Sequence, residues 1–201
     1  MDGLIFFLNA WIIWIYLIFF AQGKAGKSKI AGGVLLLSII LSPLYVEVGG
    51  IKIYGGGLCL FFCSVSFLYK AKLRKIIFLT ICSVVLSAIY SSLKFFELFD
   101  PVIFIINREW IVSIILAIVA IILQRSVKWR LMLVAIGTFQ GEVLVSMVLR
   151  DTFSLDIGGY AYLDALSMTA AFVLFWSFLE AAKTWLNSSI VVFERNKKSS
   201  S

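Results

Sequence analysis

The sequence predicts an all-α protein: a polytopic transmembrane helix bundle of about seven spans, N-terminus outside and C-terminus cytoplasmic. Three observations predict it. The chain is too apolar for a small soluble fold, its apolar runs are long and lack alternation, and its basic residues gather in every second connection. Of 201 residues, 62% are hydrophobic and 14% charged, where a soluble domain carries roughly 25% charge. Mean hydropathy is +1.03. A small soluble fold has too little interior to hide that surface. Lipid is therefore the solvent, and backbone groups must be satisfied within a helix or a closed barrel. Barrel strands alternate apolar and polar residues, and these runs do not.

A helix needs roughly 20 apolar residues to cross about 30 Å of hydrocarbon. The first span, Leu4–Ala21, follows "MDG" without a lysine or arginine. It lacks the positive region of a cleavable signal and is expected to be retained. The second, Ile30–Val46, carries Ser38 and Ser42 four residues apart. The third, Tyr54–Tyr69, opens on Gly55–Gly57, which suit packing or a bend better than phosphate binding. Cys59 and Cys63 in this span, with Cys82 in the next, read as small buried hydrophobes. Without histidine they do not suggest a metal set.

The fourth span, Ile76–Leu93, has a hydroxyl stripe, Thr80, Ser83, Ser87 and Ser91, expected to face protein. The following "FFELFDPVIFIINREW" is apolar but interrupted by Glu97, Asp100, Pro101, Arg108 and Glu109. It reads as an interfacial stretch or an extension of the next helix. The fifth span, Trp110–Leu123, is almost all aliphatic and is expected to face lipid. Leu131–Leu149 and Leu163–Ala182 are the sixth and seventh, with Glu180 and Lys183 as an i,i+3 pair at the inner end. Residues 1–186 thus form a single transmembrane domain and 187–201 a short basic cytoplasmic tail, whose end "FERNKKSSS" is expected to be disordered.

Orientation follows from charge. The connections "QGKAGKSK", "KAKLRK" and "QRSVKWR", with the chain from Lys183, hold all the basic residues except Lys52, Lys94, Arg108 and Arg150. Basic connections stay in the cytoplasm, and an odd number of spans keeps them on one side. The net charge of +7 is thereby assigned to topology and anionic lipid, with no nucleic-acid partner. Trp11, Trp14, Trp110, Trp129 and Trp185 lie mostly near span ends, as in an interfacial aromatic belt.

The sixth span carries the polar residues that most invite a function. Thr138, Glu142 and Ser146 recur every four residues and form one stripe. Gly137 and Gly141 form a small-xxx-small pair that permits close helix approach. Gln140 lies roughly 160° around the helix from Glu142 and must meet another neighbour. An ionisable residue at this depth is a functional candidate by default. Glu142 is read as a protonated or hydrogen-bonded carboxyl gluing the bundle, a proton- or ligand-binding group in an inner cavity, or a contact for a membrane partner. Asp164, at the start of the seventh span, reads first as a capping or first-turn acid.

Catalytic patterns do not emerge. There is no histidine, which removes HExxH and Ser/His chemistry. No GxSxG elbow or P-loop is present. A non-enzyme is expected, with no cofactor and no catalytic, cofactor or metal ligand. In "FFLNAWIIWIYLIFF", "QGEVL" (Gln140–Leu144), "GGYAYLDALSMTAAFVLFWSFLE" and overall layout, nearly the whole chain resembles the YphA-like family of small multi-span membrane proteins of spore-forming bacteria. The resemblance implies a multi-pass protein of the bacterial plasma membrane and carries over no site residue. Two functional expectations remain open. One is association with membrane lipids and with a membrane-protein partner or a second copy of the chain. The other is a small transporter or substrate-binding subunit using Glu142, of a size like the vitamin-binding subunits of energy-coupling uptake systems, an analogy of fold alone.

Overall fold

The computed structural model describes residues 3–20, 25–69, 71–99, 108–150 and 156–199, with side chains described except at 20, 25–28, 108 and 188–199. Helix forms over most of the apolar sequence. Among the described residues the α-helices are α1 (Leu4–Ile15), α2 (Ala25–Leu41), α3 (Gly55–Leu68), α4 (Leu73–Phe99), α5 (Arg108–Leu123), α6 (Val127–Val148) and α7 (Tyr160–Ser199). A π-helical turn, Tyr16–Phe20, continues α1. Leu73–Phe99, Val127–Val148 and Tyr160–Asn187 are long and apolar enough to cross a membrane. Leu4–Phe19, Lys29–Leu41, Gly55–Leu68 and Glu109–Leu123 are shorter apolar helices.

The helix α6 is the centre of the packing. Its Leu133, Val134, Ile136, Phe139 and Val145 are buried, and its neighbours include α3, α4, α5 and α7. The α4–α6 contact is the most extensive, and glycine makes it. A Cβ on Gly137 would stand 2.7 Å from Leu86 Cδ2 and 3.1 Å from the Ser83 carbonyl oxygen. One on Gly141 would stand 2.7 Å from Tyr90 Cδ1 and 3.0 Å from the Ser87 carbonyl oxygen. The two helices run parallel: Lys75 meets Trp129 at one end, Leu86 meets Gly137 midway, and Tyr90 meets Glu142 further along. On another side of α6, Phe139 stacks on Phe61 of α3 with ring centroids 4.7 Å apart.

The hydroxyl stripes behave largely as their spacing demands. Ser38 and Ser42 are fully buried and donate to the Leu35 and Ile39 carbonyls three residues back. Ser83 and Ser87 do the same within α4, whereas Ser91 reaches across to the Gly141 carbonyl at 3.2 Å. Thr80 departs from the expected stripe. It is exposed and back-bonds to the Ile76 carbonyl within the early turns of α4, ahead of the first buried residue of the stripe, Ser83.

Several expected boundaries are corrected. The second span is helical only to Leu41, short of the expected Val46, while the third opens at Gly55, next to the expected Tyr54. Between them lies an antiparallel hairpin, β1 (Tyr45–Val48) and β2 (Ile51–Tyr54), with Val48 opposite Ile51. Its two-residue turn, Gly49–Gly50, has φ of 60° and 83°, the left-handed backbone a tight hairpin requires. Ile157 adds a parallel bridge to Ile53 and exchanges backbone bonds with Lys52 and Tyr54. At the same end Gly55, Gly56 and Gly57 pack against the backbone of Leu41, Ser42 and Gly158, so they serve close packing.

The fourth helix runs on to Phe99, past the expected Leu93. The interrupted segment therefore begins as helix, and its residues 100–107 lie outside the described residues. The fifth helix does not simply face lipid. Ile114 and Ile118 are exposed, but Val112, Ser113, Leu116, Ala117 and Ala120 are buried, with the Ser113 hydroxyl donating to the Ala165 carbonyl of α7. Small residues on one side let that side pack closely. The expected disordered tail is helical to Ser199, since no glycine or proline interrupts residues 160–199.

Candidate functional site: the polar interior of the bundle

The spacing of Thr138, Glu142 and Ser146 places all three in the interior, with relative exposures of 1%, 8% and 2%. Glu142 meets Tyr90 on the parallel helix. The Tyr90 hydroxyl donates to Glu142 Oε2 at 2.6 Å, and Tyr90 is itself fully buried. One turn away, Thr138 donates to the Val134 carbonyl, and its hydroxyl lies 3.3 Å from that of buried Tyr162 on α7. Phe139 caps this cluster edge-on to Tyr162. Two tyrosines from two helices thus flank the α6 stripe. Such interhelical bonds contribute on average ~0.6 kcal/mol each in membranes, but a buried acceptor left unpaired costs roughly 1–3 kcal/mol. The arrangement fixes helix register more than it adds gross stability.

The long α4 also brings a cation nearer than sequence reasoning allowed. Lys94, expected in an external connection, lies one turn above Tyr90 with its ammonium 5.9 Å from the Tyr90 ring centroid. It pairs with Glu97 at 3.6 Å. A polar path therefore climbs α4 from the Tyr90–Glu142 bond towards the helix's C-terminal end. Gln140 takes no part. It is half-buried on another side, and its Oε1 has no hydrogen-bond partner among the described residues.

Asp164 is a capping acid, but of a different helix from the one expected. Buried in α7, its two oxygens accept from the backbone N–H groups of Gly3 at 2.8 Å and Phe6 at 2.7 Å. These are free amides at the start of α1, where the helix dipole also favours a negative charge. The carboxylate thus docks the beginning of the chain onto α7.

A second ionic site escaped the sequence reading. Arg130, expected in a loop, is 3% exposed within α6. Its Nε donates to the Gln124 carbonyl at 2.6 Å, and its two terminal nitrogens hold Glu180 at 2.8 and 3.1 Å. Ser177 accepts a further bond, and Trp176 Nε1 donates to Glu180. The Glu180 partner is thus Arg130 of α6, not Lys183. A planar guanidinium grips a carboxylate by two parallel bonds, which no nearby lysine could match. One signal was available: positions 130, 134, 138, 142 and 146 share one i,i+4 row, so Arg130 prolongs the polar stripe by two turns. Tyr90 lies seven residues after Ser83, on the face of the α4 stripe, but an aromatic inside an apolar run looks like core.

A helical bundle with apolar outer faces, three helices long enough to span and an interior of interhelical hydrogen bonds defines a helical integral membrane protein. Residues 2–200 match the family of YphA-like integral membrane proteins, and the chain belongs to that family. A relative from Bacillus subtilis (strain 168), described as "Uncharacterized protein YphA", is 27% identical over 172 residues, 83% of each chain. No solved structure matches the chain.

Proposed function

We propose that the chain is a non-enzymatic, multi-pass protein of the bacterial plasma membrane that acts by association, either with a membrane-protein partner or with a second copy of itself. In this reading all seven helices cross the bilayer, the N-terminus lies outside and the C-terminus in the cytoplasm. The observation that carries it is the use made of the interior ionisable groups. Glu142 is committed to Tyr90, Asp164 to the start of α1, and Arg130 to Glu180, Ser177 and Gln124. Each ties one part of the bundle to another. The outside meanwhile carries large apolar side chains such as Phe62, Ile81, Ile122, Phe175 and Phe178, the surface that lipid or a membrane partner covers. Purification of the tagged protein from its native membrane in mild detergent tests the reading. A membrane protein, or the chain itself, should co-purify in stoichiometric amount. A strictly monomeric protein carrying a bound solute would contradict it.

One observation favours a second reading, a small transporter or substrate-binding subunit. The Lys94–Glu97 pair extends polar character from Glu142 towards the end of α4. On that reading a small molecule co-purifies with the native protein and is lost from Glu142→Gln while the fold survives.

A further inference from the structure

The parallel packing of α4 and α6 has an electrostatic consequence at their shared N-terminal end. Both helices start there, and neither has an acidic residue in its first turn. Ser126, the N-cap residue of α6, makes no side-chain capping bond. The positive ends of two long helix dipoles therefore lie side by side. Among the described residues α3 and α5 both end near them, and the Gln124 carbonyl at the end of α5 is already taken by Arg130.

To these dipoles the sequence adds side-chain cations. Lys75 and Lys128 come from different helices and converge on one ring, Trp129, with ammonium groups 4.7 and 5.5 Å from its centroid. Lys128 also lies 5.4 Å from the ring of Phe67, near the end of α3. Both lysines are exposed, as are Arg74 and Arg125 in the same two segments. The stretches 66–69, 71–78 and 122–129 contain no aspartate or glutamate. Arg130, the buried cation beside them, is spent on Glu180. Exposed apolar side chains, Leu73, Ile77 and Phe78, start immediately below on α4.

We propose that this end of the bundle is a binding site for the phosphate headgroup of an anionic phospholipid. Lys75 and Lys128 clamp the phosphate, and the Trp129 ring holds the two ammonium groups in place. The lipid's chains run down the apolar flank of α4. Position selects a lipid over a soluble phosphate, because the cations sit where two membrane-length helices begin and their apolar surface continues directly from the charged ring. Aromatic rings of this kind favour the headgroup level. The site goes beyond the association reading and does not depend on it, since it requires neither a protein partner nor a particular orientation.

The test uses the full-length protein in a neutral detergent, titrated with phosphatidylglycerol or phosphatidylcholine and read by native mass spectrometry. The expected result is saturable binding of phosphatidylglycerol, weakened by salt and absent with phosphatidylcholine. Lys75→Gln combined with Lys128→Gln should weaken it roughly thirtyfold, since each cation near an anionic surface contributes about fivefold. Lys52→Gln is the control. It removes a lysine that sits over Tyr45 in similar geometry, but on the hairpin at the opposite end of α3. Equal phosphatidylglycerol binding by the double variant and the native chain would overturn the proposal. So would equal binding of the two lipids, or displacement of phosphatidylglycerol by millimolar inorganic phosphate, which would assign the site to a soluble anion. Thermal unfolding of the double variant without lipid should match the native chain, because both lysines are exposed.

Discussion

At the scale of single residues, the informative groups are the polar ones that hydrocarbon would reject. Tyr90 and Glu142 satisfy each other at 2.6 Å, so their variants should be unequal. Glu142→Gln keeps an acceptor for the Tyr90 hydroxyl and should unfold within a few degrees of the native protein in detergent. Tyr90→Phe removes the donor and leaves the carboxyl unpaired, at a cost of roughly 1–3 kcal/mol. Combining Tyr90→Phe with Glu142→Leu should recover part of that loss, because no buried polar atom is then left unpaired. Additive effects would show that the two side chains do not depend on each other. Asp164 makes a different prediction. Asp164→Ala frees two α1 amides, so stability should fall by about 1–2 kcal/mol. Proteolysis should then find the N-terminal helix before the rest of the bundle. Uniform protection in that variant would show that α1 is held by its apolar contacts alone.

At the scale of elements, the α4–α6 pair governs the fold. Neither Gly137 nor Gly141 has room for a side chain without moving α4. Gly141→Ala should cost roughly 1–3 kcal/mol, the usual penalty of overpacking. Gly33, which has nothing within 4 Å of an added Cβ, should tolerate alanine. Equal melting of the two variants would contradict the close approach. This pair was largely legible beforehand, because small-xxx-small spacing on one helix and serines at steps of three and four on another both report a buried face. The hairpin was less legible. "YVEVGGIKIY" has the Gly-Gly turn and the flanking β-branched residues of a hairpin, yet its apolar content lets it pass for the ends of two spans. The two-sided character of α5 was hidden for a related reason. When lipid and protein are both apolar, an aliphatic helix does not reveal which face it buries. The burial of Arg130 was hidden because a basic residue beside a loop normally stays in water, and the partners that make burial tolerable, Glu180 above all, include residues some fifty positions on.

At the scale of the whole molecule, the parallel α4 and α6 put the connections before both helices at one end and the Gly49–Gly50 hairpin at the other. Lys75, Arg125 and Lys128 lie at the first of these ends, which the proposed orientation puts in the cytoplasm. The most direct measurement is labelling of single cysteines in intact cells by a membrane-impermeant maleimide. The background is a chain whose Cys59, Cys63 and Cys82, all unpaired, are replaced by alanine. Gly50→Cys should be labelled in intact cells, and Ser126→Cys only after the membrane is opened. Labelling of both in intact cells, or of Ser126→Cys alone, would contradict the orientation and the bundle of seven crossings built on it.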